Sequence, residues 1–219
     1  MHEQYATAPL FLAIAGRQKP CERSLLFPVV SFNKRGLMGH ALKTDDLSPL
    51  TIGAAIEKII SSPKRQLEDL RLFDMLLDDN MDAESALRHG VYLFFDEDNT
   101  CIYVGMCSSS HFAHRIGGHF GMSPKYGMNT FLRRAIKDMG LDEKEYESYV
   151  KSLRKIGKYS LLIINANSIG KKSIRALERL LHIAIRPRLN FPQGFPKTYL
   201  SIESETNFQD GLVICGALV

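Results

Sequence analysis

Two rhythms run along this chain. Between residues 90 and 104 apolar positions follow a strand pattern: Gly90-Val91-Tyr92-Leu93-Phe94-Phe95 is β-branched and aromatic, Asp96-Glu97-Asp98-Asn99 is turn chemistry, and Cys101-Ile102-Tyr103-Val104 is apolar again. The spacing predicts a β-hairpin. With a period of two, Tyr92 shares a face with Phe94 and Tyr103 shares one with Cys101, so antiparallel pairing would set two tyrosines side by side. A helix follows from His111, with Phe112, Ile116 and Phe120 as the buried stripe and His111, Arg115 and His119 repeating on a neighbouring face. That second stripe joins one permanent cation to groups that titrate near neutrality, a set suited to phosphate binding and proton handling. Gly117 and Gly118 inside this helix each cost about 1 kcal/mol relative to alanine, so the helix either breaks there or lets another backbone come close.

Downstream, Asn129 is placed to cap a basic helix containing Arg133, Arg134 and Lys137 and stopped by Gly140. Residues 141–156 form a charged helical segment, and residues 159–164 are a continuous apolar run that predicts a central strand. A last long helix buries Ile174, Leu177, Leu181, Ala184 and Ile185, with Asn167 or Ser168 as its cap and Pro187 as its end. Glu178 falls inside that apolar stripe, where a carboxylate is costly unless it is paired or metal-bound; Arg175 and His182 are its candidate side-chain partners. Upstream, a second hairpin is expected around residues 33–36, between 25 and 42. A helix over residues 51–61 has Thr51 or Ser48 as its cap, and Pro63 opens another helix over 64–79. The apolar residues 211–219 are expected to form a terminal strand.

Composition narrows the classes. With 219 residues, 45% of them apolar, the chain buries a sizeable core as one large domain or as a domain with a smaller companion. No apolar run approaches the roughly 20 residues of a membrane span, and the run at 8–15 follows Glu3 without any Lys or Arg, which argues against a secretory signal. Cys21, Cys101, Cys107 and Cys215 lack CxxC spacing, so they are expected to be reduced thiols of a cytoplasmic protein, neither a disulfide framework nor a zinc site. The net charge of +4 is unevenly placed: residues 110–200 carry 17 Lys and Arg against 6 Asp and Glu, the rest of the chain 11 against 18. The basic half is matched to a polyanion, whose binding would weaken steeply with salt.

Gly90-Val91-Tyr92, Tyr103-Val104-Gly105, Arg115 with His119, then Glu178 and Asn190 resemble, in identity and order, the GIY-YIG nuclease family over residues 88–192. The resemblance implies an α+β fold whose three-stranded, mainly antiparallel sheet is flanked by helices in a domain over residues 87–200. An accessory α+β region would cover 1–86, with room for a protein partner, and a C-terminal extension 201–219. It implies hydrolysis of DNA phosphodiester bonds with magnesium, for which manganese would substitute. Glu178 would hold the ion, Arg115 would neutralise a phosphate oxygen, Tyr92 would take a proton from the attacking water, and Tyr103 would position water or phosphate. Gly90, Gly105 and Asn190 would support the site, Asn190 by fixing the end of the glutamate helix. Arg115, Arg133, Arg134 and Lys137 are the expected nucleic-acid contacts, with double-stranded DNA the expected partner and no membrane. Many relatives carry a lysine or a small polar residue where this chain has Met106. A phenol of pKa near 10 is a poor base at neutral pH unless its phenolate is stabilised, so His119 competes with Tyr92 for that role. The alternative function is a nucleic-acid-binding module that kept the fold and lost cleavage. Because every motif starts at Gly90 or later, residues 1–85 are expected to be accessory to the chemistry.

Overall fold

The computed structural model describes residues 41–70, 89–110, 112–122, 128–166, 168–196 and 201–217. Its strands are β1 (Ala41–Lys43), β2 (Arg65–Gln66), β3 (Gly90–Phe95), β4 (Cys101–Cys107) and β5 (Ser160–Asn165). Its helices are α1 (Ile52–Ser61), α2 (Phe112–Gly118), α3 (Thr130–Asp138), α4 (Tyr146–Ile156), α5 (Lys171–Ile185) and α6 (Phe208–Gly216). The α+β class stands, and the expected hairpin and central strand are its middle: β3 pairs antiparallel with both β4 and β5.

The sheet differs from the three-stranded expectation. It is mixed and five-stranded, in the order β1-β5-β3-β4, with β2 also on β5. Strand β1 runs parallel to Ile163–Asn165 and β2 antiparallel to Ser160–Leu161, so the two share the outer edge of β5. At three and two residues these strands are too short for a period-two pattern to register in sequence. Residues 41–66 thus build the same sheet as the motif-bearing hairpin.

Alternation along the strands feeds two cores. Val91, Leu93, Phe95, Val104, Leu162 and Ile164 pack with residues of α1, α5 and α6. Tyr92, Phe94, Tyr103, Leu161 and Ile163 pack on the other face with residues of α2, α3 and α4. Tyr103 and Cys101 do not share a face as expected. The register shifts between Phe94, opposite Tyr103, and Phe95, opposite Cys101, so Ile102 is the extra residue of a β-bulge and Cys101 turns to the opposite core.

Several local expectations are corrected. The apolar C-terminal stretch is helix α6, whose buried Phe208, Gly211, Leu212 and Cys215 recur at helical spacing, and Asn207 caps it by accepting from the Gln209 N–H at 2.9 Å. After Pro63 the chain forms β2 and a 3-10 turn, Leu67–Asp69, because its amides bond the Tyr159 and Gly157 carbonyls at the entry to β5, 2.8 and 2.9 Å away. The rest of that expected helix, and all of the upstream hairpin except 41–42, lie outside the described residues. Thr51 caps α1 as expected, accepting from Ala54 at 3.3 Å. Asn129 occupies the N-cap of α3 without a side-chain cap bond, and its amide N–H donates to Gly121 O at 2.7 Å. Helix α5 starts after Gly170; Ser168 bonds Asp45 and Thr44 at 3.0 Å each, and Asn167 lies outside the described residues. No helix among the described residues is long and apolar enough to cross a membrane.

Candidate active site

The hairpin supplies the two tyrosines. Opposite Tyr92 stands Gly105, and a Cβ there would run into the Tyr92 phenol, so glycine at 105 is what gives the ring its place. A Cβ on Gly90 would likewise meet the Ile164 carbonyl of β5. The Tyr92 and Tyr103 rings stack with centroids 6.4 Å apart, as the alternation predicts. Tyr92 is fully buried and Tyr103 almost so.

Helix α2 ends at Gly118, and the next residues leave it in tight turns, with His119 N–H bonded to Ile116 O at 3.0 Å and Phe120 N–H to Gly117 O at 3.1 Å. This exit carries His119 inward to full burial and away from the exposed basic face expected for it; His111 lies outside the described residues. The His119 Nε2 lies 2.5 Å from the Tyr92 hydroxyl, and Nδ1 accepts the Phe131 backbone N–H at 3.3 Å. An accepting Nδ1 fixes the neutral tautomer: the ring proton sits on Nε2, which donates to the Tyr92 oxygen. Burial, together with the charges of Arg115 and Arg134, pushes the His119 pKa down to about 3, so the ring is neutral.

Arg115 is the second donor to Tyr92, and its charge also reaches Glu178. Burial foremost, then the neighbouring Tyr103, raises the Tyr92 pKa, while Arg115 opposes both. Burial likewise raises Tyr103, against Arg134 and Arg115. Burial pushes the Glu178 carboxyl up to about 7, opposed by Arg115, by the Met106 backbone N–H that donates to it, and by Arg175. Residues 86 positions apart in sequence, Tyr92 and Glu178, thus share one electrostatic neighbourhood.

Glu178 holds its place along the open edge of β4. Its helix lies on the far core face of the sheet, and its carboxylate reaches round to the Met106 amide. One turn later His182 approaches the Val104 carbonyl at 3.3 Å. Asn190 then brackets the same residue, accepting from Val104 N–H at 2.7 Å and donating to Val104 O at 2.8 Å, and Leu189 N–H reaches Ile102 O at 2.9 Å. The expectation that Asn190 fixes the end of the glutamate helix is therefore corrected. It clamps the strand between Tyr103 and Gly105, while the helix ends by itself at Arg186, in the left-handed conformation with φ 55°, ahead of Pro187. His182, considered beforehand only as a partner for Glu178, is a strand anchor.

The α3 cations have partners within the protein, Arg133 and Lys137 at its surface. Arg133 and Lys137 both bind the Glu143 carboxylate at 3.1 Å, which holds that carboxyl below its ordinary range through the Lys137 and Arg133 bonds. Arg134 donates to Leu189 O at 3.0 Å, with its guanidinium 6.0 Å from the Tyr103 ring, so it braces the loop that carries Asn190. Helical spacing in the sequence carried no signal for these long-range bonds.

Among the described residues no group of three or more His, Cys, Asp or Glu side chains is placed to hold a metal ion. Glu178 does offer one hard oxygen donor in a half-buried, partly desolvated setting, which fits magnesium's habit of taking one carboxylate and completing its shell with water and substrate oxygens. Comparison of the chain with protein-family models, with curated proteins and with solved structures finds no match.

Proposed function

We propose that this chain is a GIY-YIG-type endonuclease that hydrolyses phosphodiester bonds in DNA. The supporting observation is the convergence of Tyr92, Tyr103, Arg115, His119 and Glu178 from β3, β4, α2, its exit turn and α5. Composition alone would not bring a buried phenol, a buried imidazole, an arginine and a partly desolvated carboxylate together.

In this reading Tyr92, after giving its own proton to solvent, is the phenolate that takes the proton of the attacking water and returns to the phenol. The donors to its oxygen, His119 Nε2 and Arg115, are what would stabilise that phenolate before the transfer, against the burial that favours the phenol. His119 is thereby a positioning residue, because the nitrogen facing Tyr92 carries a proton and cannot take another. Arg115, between Tyr92 and Glu178, would neutralise a non-bridging oxygen of the phosphate, for which its planar fork and permanent charge are suited. Tyr103, beside Arg134, would orient water or phosphate. Glu178 would hold a magnesium ion, with manganese able to replace it, and such an ion offsets charge on the scissile phosphate and the leaving oxygen.

Nicking of a supercoiled plasmid with magnesium, and its loss in chelator and in Glu178→Gln, is the expected result. A second reading, a nucleic-acid-binding module without cleavage, draws on the complete burial of Tyr92. Duplex binding by wild type with no nicking in magnesium or manganese would select that second reading.

A further inference from the structure

Helix α5 carries the candidate metal ligand, and the same stripe of the helix carries cations. Lys171, Arg175, Glu178 and His182 follow one another at i, i+4, i+7 and i+11, so all four project along one side. Lys171 and Arg175 are exposed, and Arg175 is close enough to act on the Glu178 carboxyl. The Lys171 side chain makes no hydrogen bond or ion pair among the described residues. At a rise of about 1.5 Å per residue, Arg175 lies about 4.5 Å and Lys171 about 10 Å along the axis from Glu178.

The basic groups of α3 and α4 are placed differently. Arg133 and Lys137 share Glu143, and Arg134 holds the Leu189 carbonyl. Lys151, Arg154 and Lys155 of α4 are exposed, but α4 leads into Ser160, which pairs with Phe95 beside the hairpin turn. Glu178 bonds Met106, opposite Val91 and about 13 Å away along β3 at some 3.3 Å per residue.

We infer that a duplex DNA backbone leaves the site along the Lys171–Arg175 stripe of α5 and does not cross the α3 cations that sequence nominates. This track rests on the endonuclease reading above. A duplex places successive phosphates of one strand about 3.4 Å apart along its axis, so the span from Glu178 to Lys171 covers about three of them. Lys171 can meet a phosphate without a protein ion pair having to break first, Arg175 is exposed beside it, and each phosphate neutralised releases counterions.

The test uses the full chain and a short fluorescein-labelled DNA duplex without divalent ion, followed by anisotropy over a range of salt. The double variant Lys171→Ala/Arg175→Ala should weaken binding about tenfold or more, and should lower the slope of log affinity against log salt by about 2, one unit per phosphate contact. Arg133→Ala/Lys137→Ala should stay within about twofold of wild type. Charge reversal at Lys171 alone, Lys171→Glu, should move affinity the same way at a solvated position that leaves the fold intact. Wild-type affinity and slope in the α5 variants, or an equal or larger loss in the α3 pair, overturns the track while leaving the nuclease reading in place. A wild-type chain that shows no salt-dependent duplex binding overturns both.

Discussion

Burial acts on Tyr92, His119 and Glu178 in the same sense, pushing each toward its neutral form. His119 is already neutral across the working pH range, since its pKa lies at about 3. A cleavage rate set by an imidazole base would show an inflection near 6.5; this site should show none from His119. Tyr92→Phe should abolish cleavage at every pH. His119→Ala should slow it about 100-fold by removing one preorganised donor, and His119→Gln, which keeps an N–H for Tyr92, should recover part of the loss. An inflection near 6.5 that disappears in His119→Ala would make His119 the base. Burial raises the Glu178 carboxyl to about 7, and in the proposed function only its ionised form would hold the cation. The magnesium concentration for half-maximal cleavage should therefore rise about tenfold for each unit of pH below that value. Stability runs the other way. A carboxyl raised above its unfolded pKa of about 4.5 favours the fold at low pH, and that contribution is lost as pH climbs from 4.5 through 7. Glu178→Gln, with no charge to bury, should match the wild-type melting temperature at pH 5 and exceed it at pH 8 in chelator.

At the scale of elements, the open edge of β4 organises the site. Its outward groups at Ile102, Val104 and Met106 are met by Leu189, by Asn190 and His182, and by Glu178. The segment from α5 to Asn190 therefore stands in for a sixth strand and protects an edge that would otherwise be open to pairing. Asn190→Ala leaves the Val104 amide without its acceptor and removes a donor from its carbonyl. Loss of about 1–3 kcal/mol in chemical denaturation is expected, together with a fall in cleavage rate, because Tyr103 and Gly105 flank the freed residue. Asn190→Asp, which keeps the acceptor for the Val104 N–H, should lose less stability. Equal loss in both variants would mean that the Val104 bonds do not carry the effect.

At the scale of the molecule, residues expected to be accessory are part of the sheet. Strands β1 and β2 cover the outer edge of β5, and Leu47, Ile52, Ala55 and Ile59 belong to the same buried cluster as Leu93, Ile164 and Leu177. A fragment beginning near residue 82 would expose that edge and the part of one core that Leu47, Ile52, Ala55 and Ile59 cover. It should fail to show a cooperative melt or should aggregate, as read by circular dichroism and light scattering. A soluble fragment with a wild-type-like transition would show that the motif-bearing part folds alone.

Strongly periodic or locally signalled features were legible in the sequence: the hairpin, the central strand, the α1 cap at Thr51 and the pairing of two tyrosines on one face. These follow from short-range rules of alternation, helical spacing and turn chemistry, which act within a few residues. The tertiary structure decided what depends on distant partners. A bulge at Ile102 turned Cys101 away from Tyr103, a strand edge made Asn190 and His182 anchors of Val104, and Glu143 drew Arg133 and Lys137 into one ion-pair cluster. His119 belongs to both: sequence placed it one turn after Arg115, but only the Phe131 amide on its far side fixed which nitrogen faces Tyr92 and so what the imidazole can do.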